Sequence, residues 1–245
     1  MDAPIIGLRD VSFAAQDKEI VREISLELEE GITTAFVGPS GGGKSTVLKL
    51  AAGLLVPSDG EVLYRGKDIA LMSRAENLDF RRTASFVFQD SALWANQTLR
   101  EILELPLKIH HPKMSQIKRT ERIIEVLAET GYRKAIDIRP AQLSMGEQKM
   151  IGFARALILA PTVLFLDEWI ESLDDAAAKR LITVVKSMQQ EGATIAFVSH
   201  NLKVIKDLAA CVYVIKDGTV ALRASAREFA SNESLSKMIE QGIGQ

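Results

Sequence analysis

The sequence predicts an α/β fold with a mostly parallel sheet at its core, an antiparallel β edge near its start and a helical subdomain in the middle. Three observations carry this expectation. Short runs of branched residues alternate with helical periodicity along most of the 245 residues, a glycine-rich loop joins a strand to a helix, and residues 90–140 read as helix without an intervening strand.

Residues 5–13 and 20–28 are branched and partly alternating, which reads as a strand pair and supplies the antiparallel edge. Residues 33–37 form a short apolar strand, 38–43 a glycine turn, and 44–52 a helix that ends at Gly53 with Pro57 beyond. Residues 61–64 and 85–88 read as strands, 98–105 and 115–130 as helices. From 147 the alternation resumes: helix to 160, strand 162–166, helix 176–190, strand 194–198, a short helix from 202, then strands 212–215 and 219–222. Residues 226–245 read as one or two amphipathic helices. One domain over 1–245 is expected, its core at 1–89 and 141–245 and its helical subdomain at 90–140.

With 47% hydrophobic and 25% charged residues the chain can bury a sizeable core. A net charge of −2 and a pI near 6.0 give no strong global field that would draw it onto nucleic acid or an anionic membrane, and leave local basic patches open. The lone Cys211 excludes an intramolecular disulfide and, in the apolar run 209–215, reads as a buried structural thiol. The first ten residues have neither a basic start nor an apolar stretch, so the chain is expected to stay in the cytoplasm. The most apolar later run, 151–166, is broken by Arg155 and Pro161 and falls short of the ~20 residues of a spanning helix.

Gly38, Pro39, Ser40, Gly41, Gly42, Gly43, Lys44, Ser45 and Thr46 satisfy the phosphate-loop pattern G-x-x-x-x-G-K-[ST] in a strand-loop-helix context. Glycines let main-chain N–H groups turn toward phosphate oxygens, and the following helix presents its positive end to the same charge. Lys44 is expected to reach the β- and γ-phosphates and Ser45 to coordinate Mg²⁺. Residues 162–166 form an apolar strand ending in Asp167 and Glu168. Adjacent side chains on a strand point to opposite faces, which divides the acids into a metal ligand, Asp167, and a base for the attacking water, Glu168.

With these motifs in place the chain resembles the ABC ATPases, over nearly its whole length and in that family's motif order. The resemblance implies a P-loop NTPase fold of the ABC ATPase type, with ATP and Mg²⁺ as cofactors. Gln89 looks like the glutamine that senses Mg²⁺ and the γ-phosphate. Leu143-Ser144-Met145-Gly146-Glu147 looks like the LSGGQ signature, with Ser144, Gly146 and Glu147 as nucleotide contacts, and Ser172-Leu173-Asp174 resembles the D-loop. His200 looks like the switch histidine that bonds the γ-phosphate. In the family the partner's signature completes each site, so a head-to-tail homodimer with sandwiched ATP is implied.

The chain departs from the pattern at several positions. Met145 replaces the first glycine of the signature, Glu147 its glutamine, Met150 a frequent arginine, and Trp169 a usual proline. Phe13-Ala14-Ala15 stands where an adenine-stacking aromatic is common, and Phe13 reads as a core strand residue. His110 and His111 match no motif and read as loop residues. Trp94 is a candidate exposed anchor, a packed core tryptophan being the alternative.

The stretch 88–94 and Leu105-Pro106-Leu107 are similar to the ATPases of Mce-associated phospholipid transporters, as is the ending 225–243. Part of this pattern is shared with importers of amino acids and methionine. The resemblance implies peripheral attachment to the cytoplasmic face of the inner membrane, permease subunits as partners, a lipid-binding Mce-type protein beside them, and no nucleic acid. Other classes are a soluble ABC ATPase working on ribosomes or DNA, disfavoured by the single nucleotide motif set and the absence of a coiled-coil insertion, and a non-hydrolysing regulator, suggested by Met145.

Overall fold

The computed structural model describes residues 4–225, 227 and 228. In chain order its elements are β1 (Ile6–Ala15), β2 (Lys18–Leu28), β3 (Thr33–Val37), α1 (Lys44–Ala51), β4 (Asp59–Tyr64), β5 (Lys67–Asp68), α2 (Arg74–Thr83), β6 (Ala84–Val87), α3 (Leu99–His110), α4 (Gln116–Thr130), α5 (Met145–Leu157), β7 (Val163–Asp167), α6 (Asp175–Gln190), β8 (Thr194–Val198), α7 (Leu202–Leu208), β9 (Cys211–Lys216) and β10 (Thr219–Ser225). They form two compact units, one made of the described residues up to Phe80 and from Gly192 onward, the other of Arg81–Glu191.

In the first unit, β2, β1, β4 and β5 lie in that order in an antiparallel sheet. In β2, Val21, Ile24, Leu26 and Leu28 are buried with exposed residues between them, the period of a strand with one covered face. The β1–β2 hairpin turns through Gln16 and Asp17, both left-handed as a two-residue hairpin turn requires. Strands β10, β9, β3 and β8 form a second ordered set, in which β3 runs parallel to both β8 and β9. Every residue of β3 and β8 is buried, the mark of strands covered on both faces. Cys211 opens β9 and is buried, in keeping with its expected structural role.

In the second unit, β6 and β7 pair in parallel, and α3 to α6 supply most of the mass. Ile102, Leu103, Ile123, Val126, Ile151 and Phe153 are all completely buried there. Thr98 caps α3 through a reciprocal box with Glu101, Ser115 caps α4, and Gly131 closes α4 in the left-handed conformation.

Several expectations are corrected. Helix α3 runs through Pro106 to His110 instead of ending near residue 105, so His110 is helical and His111 is its C-cap. Helix α5 ends at Leu157 and not at residue 160. Phe13 is only half-buried, so it is not a core residue. Apart from these corrections, the second unit holds β6, α5, β7 and α6 together with the stretch 90–140. Apart from residues 227 and 228, the helices expected over 226–245 lie outside the described residues. Among the described residues no helix is long and apolar enough to cross a membrane.

Candidate functional site

The phosphate loop follows β3 and leads directly into α1. Its first glycine has no substitute: Gly38 has φ 139°, and a Cβ there would fall 2.0 Å from the Ile215 carbonyl oxygen. Gly43 caps α1 at φ 98° and has no side chain to bond the first-turn N–H groups, and no acidic residue occupies that turn. Lys44 is buried, and its Nζ donates to the carbonyls of Gly38 at 2.9 Å and Pro39 at 2.8 Å, folding the ammonium back over the loop. The hairpin turn between β9 and β10 buttresses the loop, since the Gly218 N–H donates to the Gly42 carbonyl at 3.1 Å. Phe36 pairs with Val198, so Gly38 and His200 each stand two residues beyond neighbouring positions of parallel strands, at their carboxyl ends. His200 is half-buried and precedes Asn201, whose Oδ1 caps α7.

The second unit repeats this arrangement. Val87 pairs with Leu166, and two residues beyond each stand Gln89 and Glu168. Gln89 Nε2 donates to Glu168 Oε2 at 2.5 Å. Asp167 closes β7 with 1% exposure, a carboxylate whose burial calls for cationic or hydrogen-bonding company. Glu168 has φ 42° and Ser172 φ 64°. Left-handed residues with side chains cost about 1–3 kcal/mol each and cluster at functional loops. Trp169, 1% exposed, packs against Phe153 of α5 with ring centroids 5.6 Å apart.

The signature segment forms the N-terminus of α5. Ser144 Oγ accepts the Glu147 N–H at 3.3 Å, while Glu147 Oε2 accepts the Ser144 N–H at 2.9 Å. Glu147 also pairs with Lys134 at 2.5 Å. Lys134, and next the Ser144 N–H, hold the Glu147 carboxyl below the usual carboxylate range. Ser144, exposed Met145, Gly146, Ser172 and Asp174 line an open cleft of about 660 Å³. Farther along α5, Arg155 donates to the carbonyls of Ala92 at 2.6 Å and Ser91 at 3.0 Å and lies 5.7 Å from the Trp94 ring centroid. Trp94 is 45% exposed, which sets aside the alternative of a packed core residue.

One residue of this unit escaped the sequence reading. Lys149 is buried on α5, and its Nζ donates to the main-chain oxygen of Glu168 at 2.9 Å. Its spacing held the signal: Gly152 and Phe153, three and four positions later on the same helix face, are buried.

In the first unit, glycines shape the loop, a lysine lies over it and a hydroxyl follows at Ser45, donors of the kind that suit the phosphates of a nucleotide. In the second unit, a buried carboxylate ends β7, a donor of the kind that suits a hard divalent cation.

Residues 21–171 match the ABC transporter family. The nickel import ATP-binding protein NikE of Shigella flexneri serotype 5b is 35% identical over 210 residues, 84% of this chain and 78% of that protein. NikE of Escherichia coli O157:H7 is 35% identical over 209 residues with the same coverage. The dimeric ATP-binding cassette MJ0796, in a post-hydrolysis state bound to ADP and Pi, superposes with a TM-score of 0.83 at 28% identity, covering 91% of this chain and 99% of that one. The cbiO1 protein of Clostridium perfringens, part of the ABC transporter complex cbiONQ, gives 0.76 at 26% identity, covering 96% and 93%. The chain belongs to the ABC transporter family and is an ATP-binding domain with the ABC ATPase fold.

Proposed function

We propose that this ABC ATPase hydrolyses ATP through Glu168 and so drives separate membrane subunits. The observation that carries this reading is the grip of Gln89 on the Glu168 carboxylate, one residue past the buried Asp167. Lys44 binds the β- and γ-phosphates, with the main-chain N–H groups of residues 38–46 around them. Ser45, Asp167 and the amide oxygen of Gln89 hold Mg²⁺, which when bound neutralises charge on the phosphate oxygens. Glu168 accepts the proton of the water that attacks the γ-phosphorus, the bond to the β–γ bridging oxygen breaks, and His200 donates to a γ-phosphate oxygen. Phosphate release by the purified chain, abolished in Lys44→Met, tests this assignment.

Two copies act head to tail, the Ser144 and Gly146 main chain and the Glu147 region of one completing the ATP site of the other. The dimeric state of the MJ0796 cassette supports this arrangement. The dimer works on the cytoplasmic face of the membrane, against permease subunits that contact the exposed Trp94 region.

Two cargo classes have support. The stretch 88–94 and Leu105-Pro106-Leu107 favour phospholipid, with a Mce-type lipid-binding partner. The import of nickel by the NikE systems favours a small solute or metal ion. Co-purification with the membrane subunits, followed by mass spectrometry of bound lipid and elemental analysis of bound metal, separates the two. Co-purified phospholipid without metal supports the first, and metal without enriched lipid the second.

A further inference from the structure

Glu168 is held in two places. Gln89 grips its carboxylate at 2.5 Å, and Lys149 grips its main-chain carbonyl at 2.9 Å. The second contact bears on the direction of the side chain. With φ 42°, Glu168 sits in a conformation that a residue with a Cβ leaves unless its surroundings hold it. The carbonyl and the Cα–Cβ bond are joined through the ψ rotation, so a bond that holds the carbonyl restrains ψ and with it the position of the Cβ from which the carboxylate extends toward Gln89.

Packing alone does not account for a lysine here. Lys149 is 6% exposed and on the same face of α5 as Phe153, whose ring packs on Trp169. A methionine would fill that space without a charge to desolvate. Burial pulls the Lys149 pKa down, and only the nearby carboxylates of Glu171, Glu168 and Asp167 oppose that pull. The ammonium is therefore retained at a cost, and its hydrogen bond is spent on the main chain of Glu168.

We propose that Lys149 is a positioning residue for ATP hydrolysis: by bonding the Glu168 carbonyl it fixes the left-handed turn that aims the carboxylate, and it acts on kcat and not on ATP affinity. This rests on the reading of Glu168 as the general base. Lys149 touches neither nucleotide nor water in this role. Its effect passes through the backbone of Glu168.

The test is steady-state ATP hydrolysis by the full chain, with ATP affinity measured by titration, for Lys149→Met, Lys149→Arg and Glu168→Gln. Loss of a charge-assisted hydrogen bond predicts a fall in kcat of about 10- to 100-fold in Lys149→Met, with ATP affinity within about twofold of the parent. Lys149→Arg, which can donate to the same carbonyl, recovers most of kcat. Three results overturn the proposal: kcat of Lys149→Met within about twofold of the parent, parallel losses in kcat and affinity, or equal losses in the methionine and arginine variants. If Lys149→Met does not fold, Lys149→Gln takes its place, its shorter amide failing to span the bond, with the same expected loss and the same overturning results. Glu168→Gln separates the two readings. Undiminished turnover there strikes the base assignment, whereas an inactive Glu168→Gln beside an unaffected Lys149→Met strikes only the role of Lys149.

Discussion

Two helix N-termini of this protein carry anion-binding motifs, and they are finished in opposite ways. At α1 the cap is Gly43, which offers no side chain, and the adjacent Lys44 folds onto the carbonyls of its own loop. At α5 the cap is Ser144, closed by a reciprocal box with Glu147 that is itself neutralised by Lys134. The first has no side-chain cap to be displaced. The second has satisfied its own donors, so an incoming phosphate must compete with Glu147 for the Ser144 main chain and hydroxyl.

Breaking the first terminus has the largest effect. Gly38→Ala places a methyl against the Ile215 carbonyl and forces the loop to move. We expect on the order of 3 kcal/mol of lost stability by thermal melting, with ATP binding lost in titration. Retention of both would mean the loop tolerates a side chain there. Lys44→Met follows, with ATP affinity reduced by about 10- to 100-fold as the phosphate loses a charge-assisted partner. Affinity within about twofold would remove Lys44 from phosphate binding.

The second terminus responds more gently. Ser144→Ala removes the cap and should cost about 1 kcal/mol of stability. An unchanged melting curve would show the box to be energetically silent. The smallest effect is that of pH on Glu147. Its folded pKa lies below the ordinary carboxylate value, so its contribution is complete above the unfolded value and is lost as the pH falls through the lower folded one. Solvent screening holds this to about 0.5 kcal/mol. The stability difference between the parent and Glu147→Gln should therefore shrink only in the acid range, below the ordinary carboxylate pKa. A difference constant from neutral pH into that range would contradict the assignment.

The same contrast explains what was legible in the sequence. Strands β3 and β8 are continuous apolar runs, and their observed bounds coincide with the expected ones. The loop 38–46 and the acids ending β7 carry their chemistry in residue type and order. Helix α2 was not foreseen, because Arg74–Thr83 is polar nearly all round and buries only Phe80. Strand β5 is two residues long and leaves no period to read. The helix expected over 98–105 continues past Pro106, the His111 N–H bonding the Leu107 carbonyl at 2.8 Å. Lys149 was passed over because a lysine in a helix reads as surface, and its burial depends on how α5 packs. The capping box is written in the letters as serine followed three residues later by glutamate, the same two residues that the resemblance to the signature assigns to nucleotide contact.

The proposed role of Glu168 lies in chemistry and not in binding. Its most direct test measures phosphate release and ATP-dependent dimerisation of Glu168→Gln beside the parent chain, in Mg²⁺ and by light scattering. Turnover is expected to fall by about 100-fold or more, with ATP affinity retained and a dimer that persists because ATP is not consumed. Undiminished turnover, or loss of ATP binding in step with loss of turnover, would contradict it.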